Sequence, residues 1–293
     1  MSTVNNIMLQ KKPQPRRSLT GAIGKVLMQA FLILIAVIQI YPLIWLALFS
    51  LKDNSEIFSG DVAGLPKAFL WSNYTKALSD GHVLNYFMNS VLVTVVSIVL
   101  VLILSSMTGY AITRMNWKLS GLTMTMILMG MMVPIHAALL PLFIILKNLG
   151  LLNSYWALII PYVAFGIPMA VFILGSFFKG IPREMEESAV IDGCGIYRTF
   201  FSIILPLVTP AISTVAIFTF LSCWNELMFA VTFINNTAYQ TLTVGMMSMV
   251  GTYITQWGII GAGLMITTVP TVVIYLLLNK QVQKSMIAGA IKG

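Results

Sequence analysis

Ionised side chains are spaced so widely along this 293-residue chain that they leave intervals long enough to cross a lipid bilayer. An ionised group at the bilayer centre costs about 2.5 to 3.5 kcal/mol even on the lenient insertion scale, so the gaps between charges mark what can be buried in lipid. Charge-free stretches separate Lys25 from Lys52, Asp80 from Arg114, Lys118 from Lys147, Lys147 from Lys179, Arg198 from Glu226 and Glu226 from Lys280. Each has room for one helix of roughly 20 residues. Composition agrees, with 58% hydrophobic residues, 9% charged and a mean hydropathy of +0.90. A soluble domain carries roughly 25% charged residues.

The expected fold is therefore all-α and polytopic. Six spans are placed near Val26 to Phe49, Phe87 to Ile112, Leu122 to Leu146, Tyr155 to Phe178, Ile203 to Phe229 and Gly258 to Leu278. The interval after Glu226 could hold two spans, but Asn235, Asn236, Thr237, Gln240, Gly251 and Gln256 interrupt it. It reads as a polar loop followed by one helix. Pro134 and Pro141 in span three, and Pro161 and Pro168 in span four, each remove a backbone donor inside the bilayer, so kinks are expected there. The organisation that follows is a tail over 1–25, a six-helix domain over 26–280 with an outer loop over 52–84, and a second tail over 281–293.

Membrane orientation follows from lysine and arginine, which are enriched on the cytoplasmic side. With six spans both termini share one side, together with Arg114, Lys118, Lys179, Arg183 and Arg198. The other side keeps Lys52, Lys67, Lys76 and Lys147. Both termini are thus expected in the cytoplasm. This topology accounts for the net charge of +8 without nucleic acid as a partner. The first apolar run exceeds the usual 7 to 15 residues of a cleavable signal and lacks a small-residue cleavage site. Cys194 and Cys223, one on the reducing side and one in a span, indicate neither a disulfide framework nor a metal site.

One stretch breaks the apolar pattern with a cluster of charges, IPREMEESAVIDGCGIYRTFFSIILPLVTP from Ile181 to Pro210. Pro182 suits a first helical turn, and Glu184, Glu186 and Glu187 then sit where the helix dipole favours negative charge. Met185 and Ala189 share a face at i, i+4, and Gly193 with Gly195 supplies a left-handed stop. A helix of about ten residues is expected, followed by a second short one from Ile196 to Phe201. So short a helix is marginal alone in water and needs something to pack on. Headgroups, its own bundle or a docked partner would each serve. Arg198 is placed to pair with Glu187 or Asp192 across the bend.

Elsewhere, Glu226 beside Trp224 and Asn225 closes span five. An intramembrane carboxylate either lines a solute path or serves helix packing, and Trp224 either shares that role or anchors at the interface. His136, between two prolines, is a packing residue or a pathway residue. Methionines 124, 126, 129, 131 and 132 face lipid or fill the bundle. A secondary transporter would want inverted repeats and buried coupling-ion ligands, and an enzyme would want a nucleophile, an acid/base pair or a metal cluster. The sequence displays none of these, and it calls for no cofactor.

The pattern Glu187-Ser188-Ala189, three residues, Gly193, nine residues, Ile203-Ile204-Leu205-Pro206 resembles the EAA signature, E-A-A-x3-G-x9-I-x-L-P, of the permease subunits of binding-protein-dependent ABC importers. Ser188 replaces the middle alanine and keeps its small volume. SLKDNSEIF, WSNYTKAL, YFMNS, GYAITR, VPIHAALLPLF, GLLNSYWALIIPYVAFGIPMAVFIL, IDG, CWNE and AGAIKG are similar to the carbohydrate, maltose-permease-like branch, so the resemblance covers about Ala36 to Gly293. It implies a type I importer permease fold in a prokaryotic plasma membrane. A second permease subunit, a dimer of ATP-binding cassette ATPases, an extracytoplasmic solute-binding protein and a carbohydrate are the implied partners. The segment 181–202 then contains a coupling helix in which Glu187, Ser188, Ala189, Ile191, Asp192 and Gly193 meet an ATPase. Asn225, Glu226, Trp224 and His136 are the candidates for the pathway or its gate. No G-x4-G-K-[ST] loop is present, and GAIGKV at Gly21 to Val26 lacks the spacing and hydroxyl to cradle phosphate, so ATP hydrolysis belongs to another chain.

Overall fold

The computed structural model describes residues 19–59, 64–79, 82–250 and 255–290, and every regular element among them is helical. The expected tail over 1–25 lies outside the described residues up to residue 18, as do Gly251 of the expected polar loop and residues 291–293. In chain order the helices are α1 Leu19–Phe49, α2 Asn54–Phe58, α3 Ser72–Ser79, α4 Val83–Arg114, α5 Ser120–Met129, α6 Leu139–Asn148 and α7 Trp156–Lys179. There follow α8 Glu184–Ile191, α9 Ile196–Thr199, α10 Leu205–Leu207, α11 Thr209–Trp224, α12 Met228–Phe233, α13 Leu242–Ser248 and α14 Trp257–Ala290.

Six spans were expected, with kinks in the third and fourth; among the described residues four helices are long and apolar enough to cross a membrane: α1, α4, α7 and α14. A fifth span is counted if Ile196–Leu207 and Thr209–Trp224, bent by 77° at their junction, are taken as one. Proline chemistry explains both departures. Span three stops at Met129, passes through a 3-10 turn over Gly130–Met132 and restarts at Leu139, because Pro134 cannot donate and its neighbours turn instead. Span five is π-helical over Phe200–Ile204 and breaks at Val208, where Pro210 lacks the N–H that would otherwise bond the Pro206 carbonyl four residues back. The hydroxyl of Thr209 donates to the Pro206 carbonyl at 2.6 Å and so satisfies one carbonyl left open at the bend. By contrast α7 continues through Pro161 and Pro168.

The polar interval after Glu226 is also more structured than the expected loop. It folds into α12, a 3-10 turn over Thr237–Tyr239, and α13, whose Leu242, Val244 and Met246 are buried. The last helix overruns its expected end near Leu278 and continues to Ala290.

The parallel pair α4 and α7 forms the centre of the bundle. A Cβ on Gly166 of α7 would lie 2.9 Å from Val101 of α4, so only glycine permits that approach. Two of the serines buried on α4 donate within the helix, Ser105 to the Val101 carbonyl and Ser106 to Ile103 at 3.1 Å, while Ser90 accepts the Leu242 N–H at 2.8 Å. One apolar core spreads from this pair to α11 and α12 through Leu158, Leu174, Ile204, Val215 and Phe233. A second joins α3, α13 and α14 through Ala77, Val83, Trp224, Leu242 and Ile260.

At one end, the segment after α1 lies across the start of α14. Asn73 donates to the Ser50 and Lys52 carbonyls at 2.9 Å each, Asn54 accepts from Trp257 N–H at 2.8 Å, and Gly258 has backbone at the place where a Cβ would stand. The Asp53 carboxylate caps α2 by accepting the Glu56 N–H at 2.7 Å. The apolar stretch Ile23–Phe49 of α1 has almost no cover from the other described residues.

Candidate functional site

The residues singled out in the sequence fall in two places, the charged segment after α7 and a cavity between α7 and α11. In the first, α8 spans eight residues, with Glu184, Glu186 and Glu187 in its first turn. Its entry is made by Pro182 and Arg183, whose carbonyls accept from Met185, Glu186 and Glu187. Its exit depends on Gly193, at φ +76°: the Gly193 N–H donates to Val190 at 3.0 Å and the Cys194 N–H to Ala189 at 2.8 Å. This is the Schellman arrangement, which needs a residue tolerant of positive φ. Gly195, expected to share the stop, has φ −71° and ψ 163° and opens α9 instead.

The helix turns a single small side chain inward and its larger ones outward. Ala189 is 2% exposed, whereas Ile191 is 85% exposed and Val190 69%. Glu187, Ser188, Asp192 and Gly193 are also exposed, and so is Tyr197 on α9. Arg198 was placed to pair with Glu187 or Asp192; among the described residues it makes no ion pair. The segment is held instead by Arg114, whose Nη2 lies 2.7 Å from Oε2 of Glu186. Packing of α4 along α7 delivers that arginine from 72 positions away, a distance across which sequence spacing carries no signal.

A cavity of about 260 Å³ lies between α7 and α11, with apolar walls that include Phe165, Met169, Val215 and Phe218 and polar groups at Tyr162, Thr219 and Ser222. Glu226 stands on its border. Its carboxylate accepts from the Tyr162 hydroxyl at 2.8 Å, the Phe229 N–H at 2.7 Å and the Ala230 N–H at 3.1 Å. It is a side-chain cap for α12 and a tie to α7. Of its roughly four lone-pair directions, three are occupied.

The other pathway candidates lie elsewhere. Trp224 is 3% exposed, stacks on Phe220 at 5.3 Å, meets Phe87 edge-on at 5.8 Å and donates to the Thr267 carbonyl at 3.2 Å. It braces α11 against α4 and α14. Asn225 is exposed and donates to Leu221 at 2.9 Å. His136 is exposed in the turn between the two halves of span three. Cys223 lines the cavity and Cys194 follows α8, both as free thiols.

At the end of the bundle away from α8, polar ties close the tops of α4 and α7 onto the segment before α13. Asn89 donates to the Ala238 and Gln240 carbonyls at 2.9 Å each and accepts from the Tyr155 hydroxyl at 2.8 Å. Asn153, at φ +57°, accepts from the Asn235 and Asn236 N–H groups at 2.6 and 2.9 Å. These residues were not singled out in the sequence. An asparagine in the GLLNSY turn was the available cue, because asparagine tolerates positive φ.

The profile of the family described as binding-protein-dependent transport system inner membrane component matches residues 101–287. The chain is 35% identical over 285 residues to the probable ABC transporter permease protein YurM of Bacillus subtilis, covering 97% of this chain and 94% of that one. It is 36% identical over 265 residues to the diacetylchitobiose uptake system permease protein NgcG of Streptomyces coelicolor, covering 90% and 87%. Among solved structures, a chain of a bacterial ABC transporter involved in the import of the acidic polysaccharide alginate superposes with a TM-score of 0.80 at 22% identity, covering 91% of this chain and 99% of that one.

Proposed function

The chain belongs to the binding-protein-dependent transport system inner membrane component family, and from that membership we propose that it is one permease subunit of an ATP-driven importer for a carbohydrate. A second permease subunit completes the pathway, two ATP-binding cassette ATPases drive it and a solute-binding protein delivers the cargo. The end bearing α8 faces the cytoplasm, because Arg114, Lys118, Lys179, Arg183 and Arg198 collect on the segments that end or connect there. The loop over 52–84 then lies outside, with α2 and α3 over the bundle.

The observation that carries this reading is the form of α8. It is closed at Gly193, seated through Ala189, and presents Val190 and Ile191 to solvent. Exposed apolar side chains in a charged segment mark a contact surface. Glu187, Ser188, Ile191 and Asp192 meet an ATPase groove there, and rigid-body motion of the ATPases is passed to the bundle through this contact. Cargo crosses beside the cavity between α7 and α11, where Tyr162, Thr219 and Ser222 offer hydroxyls and Phe165 a ring, the groups that sugars recognise. Similarity to a diacetylchitobiose permease supports the carbohydrate assignment.

The test is co-expression with the adjacent ATPase, permease and binding-protein subunits, purification, and reconstitution into vesicles. ATP-dependent uptake of an oligosaccharide by the assembled complex is expected. Uptake by this chain alone on an ion gradient, with no ATPase bound, would replace this reading with an ion-coupled carrier.

A further inference from the structure

The contact between α8 and the bundle contains a residue whose chemistry is more demanding than seating requires. Arg114 is the last residue of α4, and its side chain is 5% exposed. Its Nε donates to both carboxylate oxygens of Glu186, at 3.2 and 3.1 Å, and its Nη2 donates to Oε2 at 2.7 Å. The remaining donors go to backbone. Nη1 reaches the Phe178 carbonyl at 3.3 Å and the Ile181 carbonyl at 2.8 Å, and Nη2 reaches the Pro182 carbonyl at 3.4 Å.

Those carbonyls belong to the end of α7 and the turn that leaves it. Carbonyls at the end of α7 carry the negative end of the helix dipole, so a guanidinium meets them favourably. All five N–H donors of the arginine are thereby engaged across three elements: its own helix, the end of α7 and the first turn of α8. The Tyr110 hydroxyl faces the same carboxylate, and the Tyr110 ring packs against Phe178 at 5.9 Å and Phe200 at 5.0 Å directly beneath. A point charge could neutralise Glu186; only a planar fork can do so while holding the α7 carbonyls.

We propose that Arg114 is the positioning residue that makes α8 move as one body with α4 and α7. This rests on the reading of α8 as the ATPase-docking helix, and it adds which joint converts motion of that helix into motion of the bundle. Without the fork, α8 would remain helical and exposed yet swing on the Gly180–Arg183 turn, so that ATP would be hydrolysed with less transport.

The experiment uses the full complex with Arg114→Lys, Arg114→Met and Glu186→Gln, reading two quantities. The first is solute carried per ATP hydrolysed, expected to fall roughly two- to thirty-fold in Arg114→Lys although the charge is kept, with ATPase still bound and the half-saturating concentration of loaded binding protein unchanged. The second is the distance distribution between spin labels at Lys118 and Glu184, in a chain freed of Cys194 and Cys223, which should broaden in Arg114→Lys even with no ATPase present. Should Arg114→Met fail to insert, the lysine and glutamine variants still decide the matter. A coupling ratio and a label distribution equal to wild type in Arg114→Lys would overturn the proposal. Failure of the wild-type complex to bind an ATPase would overturn the docking reading instead, and the label distances would still report whether the joint is rigid.

Discussion

Glu226 illustrates how much a single side chain can carry. The sequence presents an isolated carboxylate near the end of a span, with lining and packing both open. In the fold it accepts two backbone donors of α12 and one hydroxyl from α7. Glu226→Ala should strip those donors of their partner and destabilise the purified chain by about 1 to 3 kcal/mol, read as a lower midpoint in thermal unfolding. Tyr162→Phe should cost less, and the double variant should show coupling between the two in a mutant cycle. A variant with unchanged unfolding but lost uptake would make Glu226 a pathway residue first. Asp53 offers a second residue-scale test. The Glu56 N–H that it accepts, with the Ser55 hydroxyl, holds its carboxyl below the usual carboxylate value. Its contribution to the segment around α2 is complete above the unfolded value and disappears as pH falls through the lowered folded one. Protease resistance of residues 52–79 should therefore weaken on strong acidification, and Asp53→Asn should flatten that dependence.

For elements, the sequence is most reliable where one residue type has a unique backbone meaning. Gly193 fixes the end of α8 because an L side chain at φ +76° is strained by about 1 to 2 kcal/mol. Gly193→Ala should loosen α8, and Gly193→Pro should abolish its stop. ATPase association is expected to fall in both while membrane insertion, measured by carbonate-resistant fractionation, stays intact. Ile191→Asp should weaken association without disturbing the helix, since that side chain is 85% exposed. Retained association in Ile191→Asp would move the contact elsewhere on the segment. Proline position was less informative. Pro134 breaks span three, whereas Pro161 and Pro168 leave α7 continuous, and the difference lies in packing: both α7 prolines are buried along a helix flanked by α4 and α11.

At the scale of the molecule, the long pair α4 and α7 joins the two ends of the bundle, with asparagine ties at one and the Arg114 fork at the other. The apolar length of α1 is left outside this frame, in contact with α14 near Phe49. Lipid or a partner subunit must cover it, since water would not stabilise so much apolar surface. Orientation can be tested on the whole chain. A cysteine placed at Lys76 should react with an impermeant thiol reagent in intact cells, and one at Glu184 only after permeabilisation. The reverse pattern would invert the topology.

Sequence alone determined the solvent of this protein and the punctuation of its helices. Charge spacing measures the cost of burial in lipid directly, and glycine or proline acts on its own backbone whatever surrounds it. Charge spacing leads to an expected six spans; among the described residues four stay whole, and a fifth is counted only across a 77° bend. Whether a carboxylate at 226 lines or caps, and which arginine meets Glu186, depended on groups brought together from 64 and 72 positions away. Those distances are set by how closely α4, α7 and α11 can approach one another, and close approach is a property of the packed bundle.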